Sequence, residues 1–90
     1  MSDIRSFKFV YGDTKTIQYD RNQTIESLLN TFLVETNSIK TLDTTKIYFM
    51  YNSSIINNKN KLQKKIKDIF KNSSNEFKIN VTDTEGVIGG

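Results

Sequence analysis

The chain has 90 residues and contains no cysteine and no histidine. Without cysteine there are no disulfides and no thiolate metal sites. Without histidine the commonest general base and the commonest metal ligand are both missing. These absences argue against a self-contained hydrolase and against a zinc module, and no cofactor is expected. Proline is also absent, and Arg5 and Arg21 are the only arginines beside eleven lysines. No apolar run approaches the roughly 20 residues needed to cross a bilayer. The opening residues Met1-Ser2-Asp3-Ile4-Arg5 lack the basic and apolar regions of a secretory signal. A soluble protein of the cytoplasm or nucleus, with no membrane partner, is expected. The sequons at Asn22, Asn52, Asn72 and Asn80 are then chance products of a composition rich in Asn, Ser and Thr.

What is present suits one small domain. Six Phe and four Tyr can fill a core, although hydrophobic residues make up only 36% of the chain. A domain of this size buries only about 60% of the surface its unfolded chain exposes, so modest stability is expected. The net charge is +3. Six lysines (Lys59, Lys61, Lys64, Lys65, Lys67 and Lys71) crowd one stretch, opposed only by Asp68. A solvated helix face accounts for such a cluster better than a surface for nucleic acid or an acidic partner does. Nucleic acid is disfavoured as a partner, because arginine is scarce and the stretch holds a single aromatic residue, Phe70, for base stacking.

Local patterns set the order of elements. Phe7 and Phe9 alternate with polar neighbours, predicting a half-buried strand over residues 4–11. Gly12-Asp13 signals a turn, and Ile17 and Tyr19 mark a second strand over 14–19 that completes a hairpin. Thr24 suits a helix N-cap, with Glu26 in the first turn complementing the dipole. Ile25, Leu28, Leu29, Phe32 and Leu33 then form one apolar face of a helix ending near Thr36, and Asn37-Ser38 stops it. Ile39 and Leu42 are expected to pin the following loop to the core. Residues 46–51, rich in aromatic and β-branched side chains, predict a third strand. Ile55-Ile56 suggests a very short fourth strand, and 57–61 reads as a polar loop. Leu62, Ile66, Ile69 and Phe70 make a helical stripe over about 60–70 with lysines opposite. Phe77, Ile79 and Val81 mark a last strand, giving a domain over 1–81 and a tail over 82–90.

This order predicts an α+β fold with a mixed sheet of four to five strands packed on one main helix, plus a short second helix. A β-grasp roll answers the pattern, with a ferredoxin-like ββα variant as the competitor. The sequence resembles ubiquitin and its relatives. The hairpin Phe7-Lys8-Phe9 … Thr16-Ile17-Gln18-Tyr19, the helix start Thr24-Ile25-Glu26, the strand Lys46-Ile47-Tyr48-Phe49, the segment Ser53-Ser54-Ile55-Ile56 and the pair Gly89-Gly90 carry the resemblance.

The resemblance implies a β-grasp modifier. In such proteins the last glycine carboxylate is adenylated by an ATP-dependent activating enzyme. It then passes to an enzyme cysteine as a thioester and on to a substrate lysine as an isopeptide bond. Downstream conjugating enzymes and a deconjugating protease are the further partners implied. Gly90 would supply the carboxylate, and Gly89 the clearance, since a Cβ there would obstruct a narrow channel. The reactive nucleophiles would belong to the partners, which agrees with a monomeric, non-enzymatic chain lacking Cys and His. Thr82, Asp83, Thr84 and Glu85 replace the basic residues of the ubiquitin tail, so a dedicated activating enzyme, or none, is implied in place of ubiquitin's own. Tyr48, Lys78 and Asn80 fall where ubiquitin presents its receptor-binding patch, with Tyr48 as a possible anchor and Lys78 and Asn80 interrupting apolar character. Two alternatives share the fold. A sulfur carrier would convert the adenylate to a thiocarboxylate, and a non-covalent interaction domain would make no use of the diglycine.

Overall fold

The computed structural model describes residues 2–38 and 41–83. Ile39 and the Gly89-Gly90 pair lie outside the described residues. Within them are the strands β1 (Ile4–Tyr11), β2 (Asp13–Asp20), β3 (Ile47–Tyr51), β4 (Ser54–Ile55) and β5 (Glu76–Asp83). The helices are α1 (Ile25–Glu35), α2 (Lys59–Leu62) and α3 (Ile66–Ile69). The sheet order is β2-β1-β5-β3-β4. First and last strands pair in parallel near its centre, and the remaining pairs are antiparallel. With α1 packed across one face this is the β-grasp arrangement rather than the ferredoxin-like one.

The strands obey the alternation read from the sequence. Phe7, Phe9, Ile17, Ile47, Phe49, Phe77, Ile79 and Val81 all turn inward and are buried. They meet the α1 stripe of Ile25, Leu28, Leu29, Phe32 and Leu33, also buried. Phe9 stacks on Phe32 with ring centroids 4.4 Å apart, and Phe49 meets both rings edge-on. A second aromatic group, Phe7, Phe70, Phe77 and Tyr51, fills the other end of the core. Burial of this apolar area is the main source of stability.

The helix caps follow the same local rules. The Thr24 Oγ1 accepts the Ser27 N–H at 3.2 Å, satisfying one of the orphan donors of the first turn. Asn37, at φ 56°, ends α1 in the left-handed conformation that Asn tolerates. Gly12, at φ 69°, is the single residue between the paired ends of β1 and β2.

Four features depart from the sequence expectations. The second helix, expected over 60–70, is two single turns separated at 63–65. Lys65 is extended because this stretch pairs with the entry to α1. The Ile25 N–H donates to Lys64 O at 2.9 Å, and the Ile66 and Lys67 N–H groups donate to Gln23 O and Arg21 O. Three backbone hydrogen bonds to a neighbouring segment outweigh helix continuity. The apolar stripe still does its expected work, with Ile66 and Phe70 fully buried and Leu62 and Ile69 partly so.

Next, β4 comprises Ser54 and Ile55, and Ile56 is instead a buried residue whose N–H donates to Phe49 O at 2.8 Å. Within the expected polar loop, Asn57 is only 2% exposed. Its Oδ1 accepts the Phe49 N–H at 3.0 Å and its Nδ2 donates to Ile47 O at 3.0 Å. The Asn57 amide thus extends the sheet where β4 does not reach. Finally, residues 82 and 83, expected in the tail, continue β5 and pair with Tyr48 and Ile47. The Tyr11 hydroxyl donates to Asp83 Oδ2 at 2.7 Å, tying this strand end to the hairpin. Leu42 packs against the core, in line with its expected pinning role.

The N-terminus is fastened by a polar clasp. Arg21, 9% exposed, donates through Nη1 to Phe70 O (2.7 Å) and Asn72 O (3.0 Å), and through Nε to Asp3 (2.9 Å). Arg5 donates to the same Asp3 carboxylate and to Ser74 O. Burial alone would raise the pKa of Asp3. The hydrogen bonds from Arg21 and Arg5, with the attraction of their charges, outweigh it and hold the carboxyl below its ordinary value.

Candidate functional site

Because side chains alternate along a strand, the inward set fixes the outward set. Tyr48, Lys78 and Asn80 all lie on the sheet face opposite α1. Tyr48 is half-buried, while Lys78 and Asn80 are exposed. The strand register assigns each its neighbours. Asn80 lies between Val10 of β1 and Met50 of β3, and Met50 in turn pairs with Ile55 of β4. Tyr48 pairs with Thr82, diagonal to Asn80. Lys78 pairs with Lys8, and Lys8 with Thr16.

The outer face is therefore graded from end to end. At one end are Ser6, Gln18 and Glu76 and then the Lys8–Lys78 pair, two like charges directly opposite, which repel. At the other end Val10, Tyr48, Met50 and Ile55, all half-buried, surround Asn80 and Thr82. The structure brings Tyr48 and Asn80 together and leaves Lys78 in the basic row. Val10, Met50 and Ile55 were not singled out from the sequence. Strand parity was the available signal, since Met50 lies two residues after Tyr48, and Val10 shares the parity of Lys8.

The apolar end is also the end at which β5 finishes. β1 and β5 run in parallel, so the end of β5 at Asp83 lies beside the end of β1 and the Gly12 turn. Residues 84–90 follow it in sequence. The carboxylates with lowered pKa stand elsewhere, in structural roles. Asp3 belongs to the N-terminal clasp. Asp43 accepts the N–H and hydroxyl of Thr45 at 2.9 and 2.8 Å, and these bonds, with Lys46 and Lys59 nearby, lower its pKa. Among the described residues no group of three or more acidic side chains is placed to share a metal ion. No helix among them is long and apolar enough to cross a membrane.

No family model matches the chain, and no curated protein matches it. Among solved structures, it is similar to the ubiquitin-like domain of an Arabidopsis thaliana protein. That match has a TM-score of 0.59 at 17% identity and covers 91% of this chain and 77% of that domain. It is also similar to a ubiquitin-like protein from the hyperthermophilic archaeon Caldiarchaeum subterraneum, with a TM-score of 0.45 at 7% identity, covering 90% of this chain and 95% of that one. Strand order, parallel pairing of the first and last strands, helix placement and the Arabidopsis domain's likeness agree that the chain has the ubiquitin-like β-grasp fold.

Proposed function

We propose that this chain is a protein modifier, attached to other proteins through Gly90. The observation that carries the reading is the route of β5. This strand ends at the apolar edge of the outer face, and the sequence beyond Asp83 leads to Gly89-Gly90. Residues 84–90 span at most about 25 Å when extended. A partner that binds Tyr48, Val10 and Met50 is thus within tail length of the reacting carboxylate.

The chemistry follows the ubiquitin-like scheme. The Gly90 carboxylate, free at synthesis or after cleavage of a longer precursor, attacks the α-phosphate of ATP. Pyrophosphate leaves and an acyl adenylate forms. A cysteine thiolate of the activating enzyme displaces AMP to give a thioester, and a conjugating enzyme carries it on. The amine of a substrate lysine then displaces the thiolate, forming an isopeptide bond and releasing a proton. Gly89 and Gly90 lack a Cβ, which lets the backbone enter a narrow channel. The chain itself contributes no catalytic group and needs no cofactor. Free in the cytoplasm or nucleus, it acts as a monomer. Tyr48 anchors partners on the outer face, with Asn80 at the centre of the contact and Lys78 at its rim.

The test uses an N-terminally tagged chain in its source cells, beside one lacking Gly89 and Gly90. Under denaturing, reducing conditions the intact chain is expected to give slow-migrating adducts that vanish with the deletion. A single free band in both lanes overturns conjugation. A sulfur-for-oxygen mass change on that free chain identifies a sulfur carrier, and an unchanged mass identifies a non-covalent domain.

A further inference from the structure

The lysine-rich segment over residues 59–71 faces one end of the sheet. Between it and the β3–β4 turn lies a cleft of about 300 Å³, lined by Tyr51, Ile69, Lys61, Lys71, Asn52 and Asp68 among others. Its apolar wall is held in place, because the Tyr51 ring packs on the fully buried Phe70 with centroids 4.1 Å apart. The turn that follows Tyr51 has two consecutive residues of positive φ, Asn52 and Ser53. Lys61 is half-buried and Lys71 exposed, and neither forms an ion pair among the described residues. Asp68, the one acid of the segment, pairs with neither. Lys59, Lys64, Lys65 and Lys67 extend the positive field along the same segment and are exposed.

Two lysines against one carboxylate, Asp68, leave an excess of positive charge around a small apolar floor and so favour an acidic occupant. We propose that this cleft docks an acidic segment of a partner protein. Carboxylates of that segment meet Lys61 and Lys71, and one apolar side chain lies on Tyr51 and Ile69. Lysines act here as point charges on flexible stems, which suits carboxylates arriving in varied geometry. Nucleic acid is the less favoured polyanion. The segment has no arginine for bidentate phosphate contacts, and its one aromatic residue, Phe70, is fully buried and cannot stack on a base. The docking surface uses neither Gly90 nor the outer-face residues around Tyr48. It therefore stands or falls separately from conjugation.

Fluorescence anisotropy of a labelled peptide, Asp-Asp-Glu-Leu-Glu-Asp-Asp, titrated with the full chain tests this directly. Saturable binding is expected, weakening several-fold between about 50 and 200 mM salt as screening shortens the reach of the lysines. The double variant Lys61→Glu/Lys71→Glu should raise Kd by about tenfold or more, and Lys61→Gln/Lys71→Gln by less. The charge-matched control Lys8→Glu/Lys15→Glu, on β1 and β2 away from the β3–β4 turn, should stay within about twofold. Circular dichroism checks that each variant folds, and the glutamine pair carries the test should the reversal pair unfold. Absence of binding up to about 1 mM, a weak affinity by any standard, overturns the proposal. So does equal loss in the control, and so does tighter binding of an oligodeoxythymidine of equal charge.

Discussion

The two faces of the sheet are built from the same strands and differ in almost everything else. Phe49 and Met50 are neighbours in sequence, yet Phe49 is fully buried among Phe9 and Phe32 while Met50 lies half-exposed beside Asn80. The inner face spends its aromatic residues on cohesion. The outer face keeps a few apolar side chains at one end and charge at the other, where folding makes little demand on them. A small domain has no area to spare on the inner face. Its capacity for recognition therefore lies in the outward residues and in the loops and turns at the edges of the sheet.

That contrast gives a graded set of expectations. Phe49→Ala should cost about 3–5 kcal/mol, through lost transfer energy and the cavity left behind. That is a large share of a small domain's stability. Met50→Ala, one residue away, should cost under about 1 kcal/mol. Urea denaturation of the pair measures both, and similar losses would break the distinction between the faces.

Next in size is Asn57→Ala, at about 1–3 kcal/mol, because it leaves the Phe49 N–H and the Ile47 carbonyl without their partner. Asn57→Asp tests the same contact more finely, since it keeps the acceptor for Phe49 and removes the donor to Ile47. Midpoints of thermal unfolding distinguish the two.

The smallest effect is the pH dependence of the N-terminal clasp. The Asp3 carboxyl has a folded-state pKa below its unfolded value. It therefore contributes stability that is present above the unfolded pKa of about 3.9 and lost as pH falls through the folded one. The stability difference between the native chain and Asp3→Asn should accordingly be largest near neutral pH and shrink below about pH 4. A difference constant with pH would remove the clasp from the account.

Much of the fold was legible because it is local. Alternation at Phe7, Phe9 and Ile17 and the 3.6-residue stripe from Ile25 to Leu33 each report burial through spacing alone. What escaped notice depends on distant partners. Asn57 looks like any loop asparagine until β3 lies beside it. The break between α2 and α3 exists because residues 21–25 offer backbone partners to residues 64–67, far along the chain. The clasp of Arg21 joins Asp3 to Phe70 and Asn72 in the same way. On the outer face, Tyr48, Lys78 and Asn80 followed from the resemblance to ubiquitin. Strand parity also puts Val10 and Met50 on that face, but their place beside Asn80 needed the register, which a sequence does not print.

Mass spectrometry of adducts purified from source cells under denaturing conditions tests the modifier reading most directly. No Lys or Arg follows Lys78, so trypsin would leave residues 79–90 as a branch on any modified lysine. Branched peptides are expected, with the Gly90 carbonyl joined to a lysine Nζ of another protein. Recovery of the chain solely as a free species, with its Gly90 carboxylate unmodified or carrying sulfur in place of oxygen, would contradict the modifier reading.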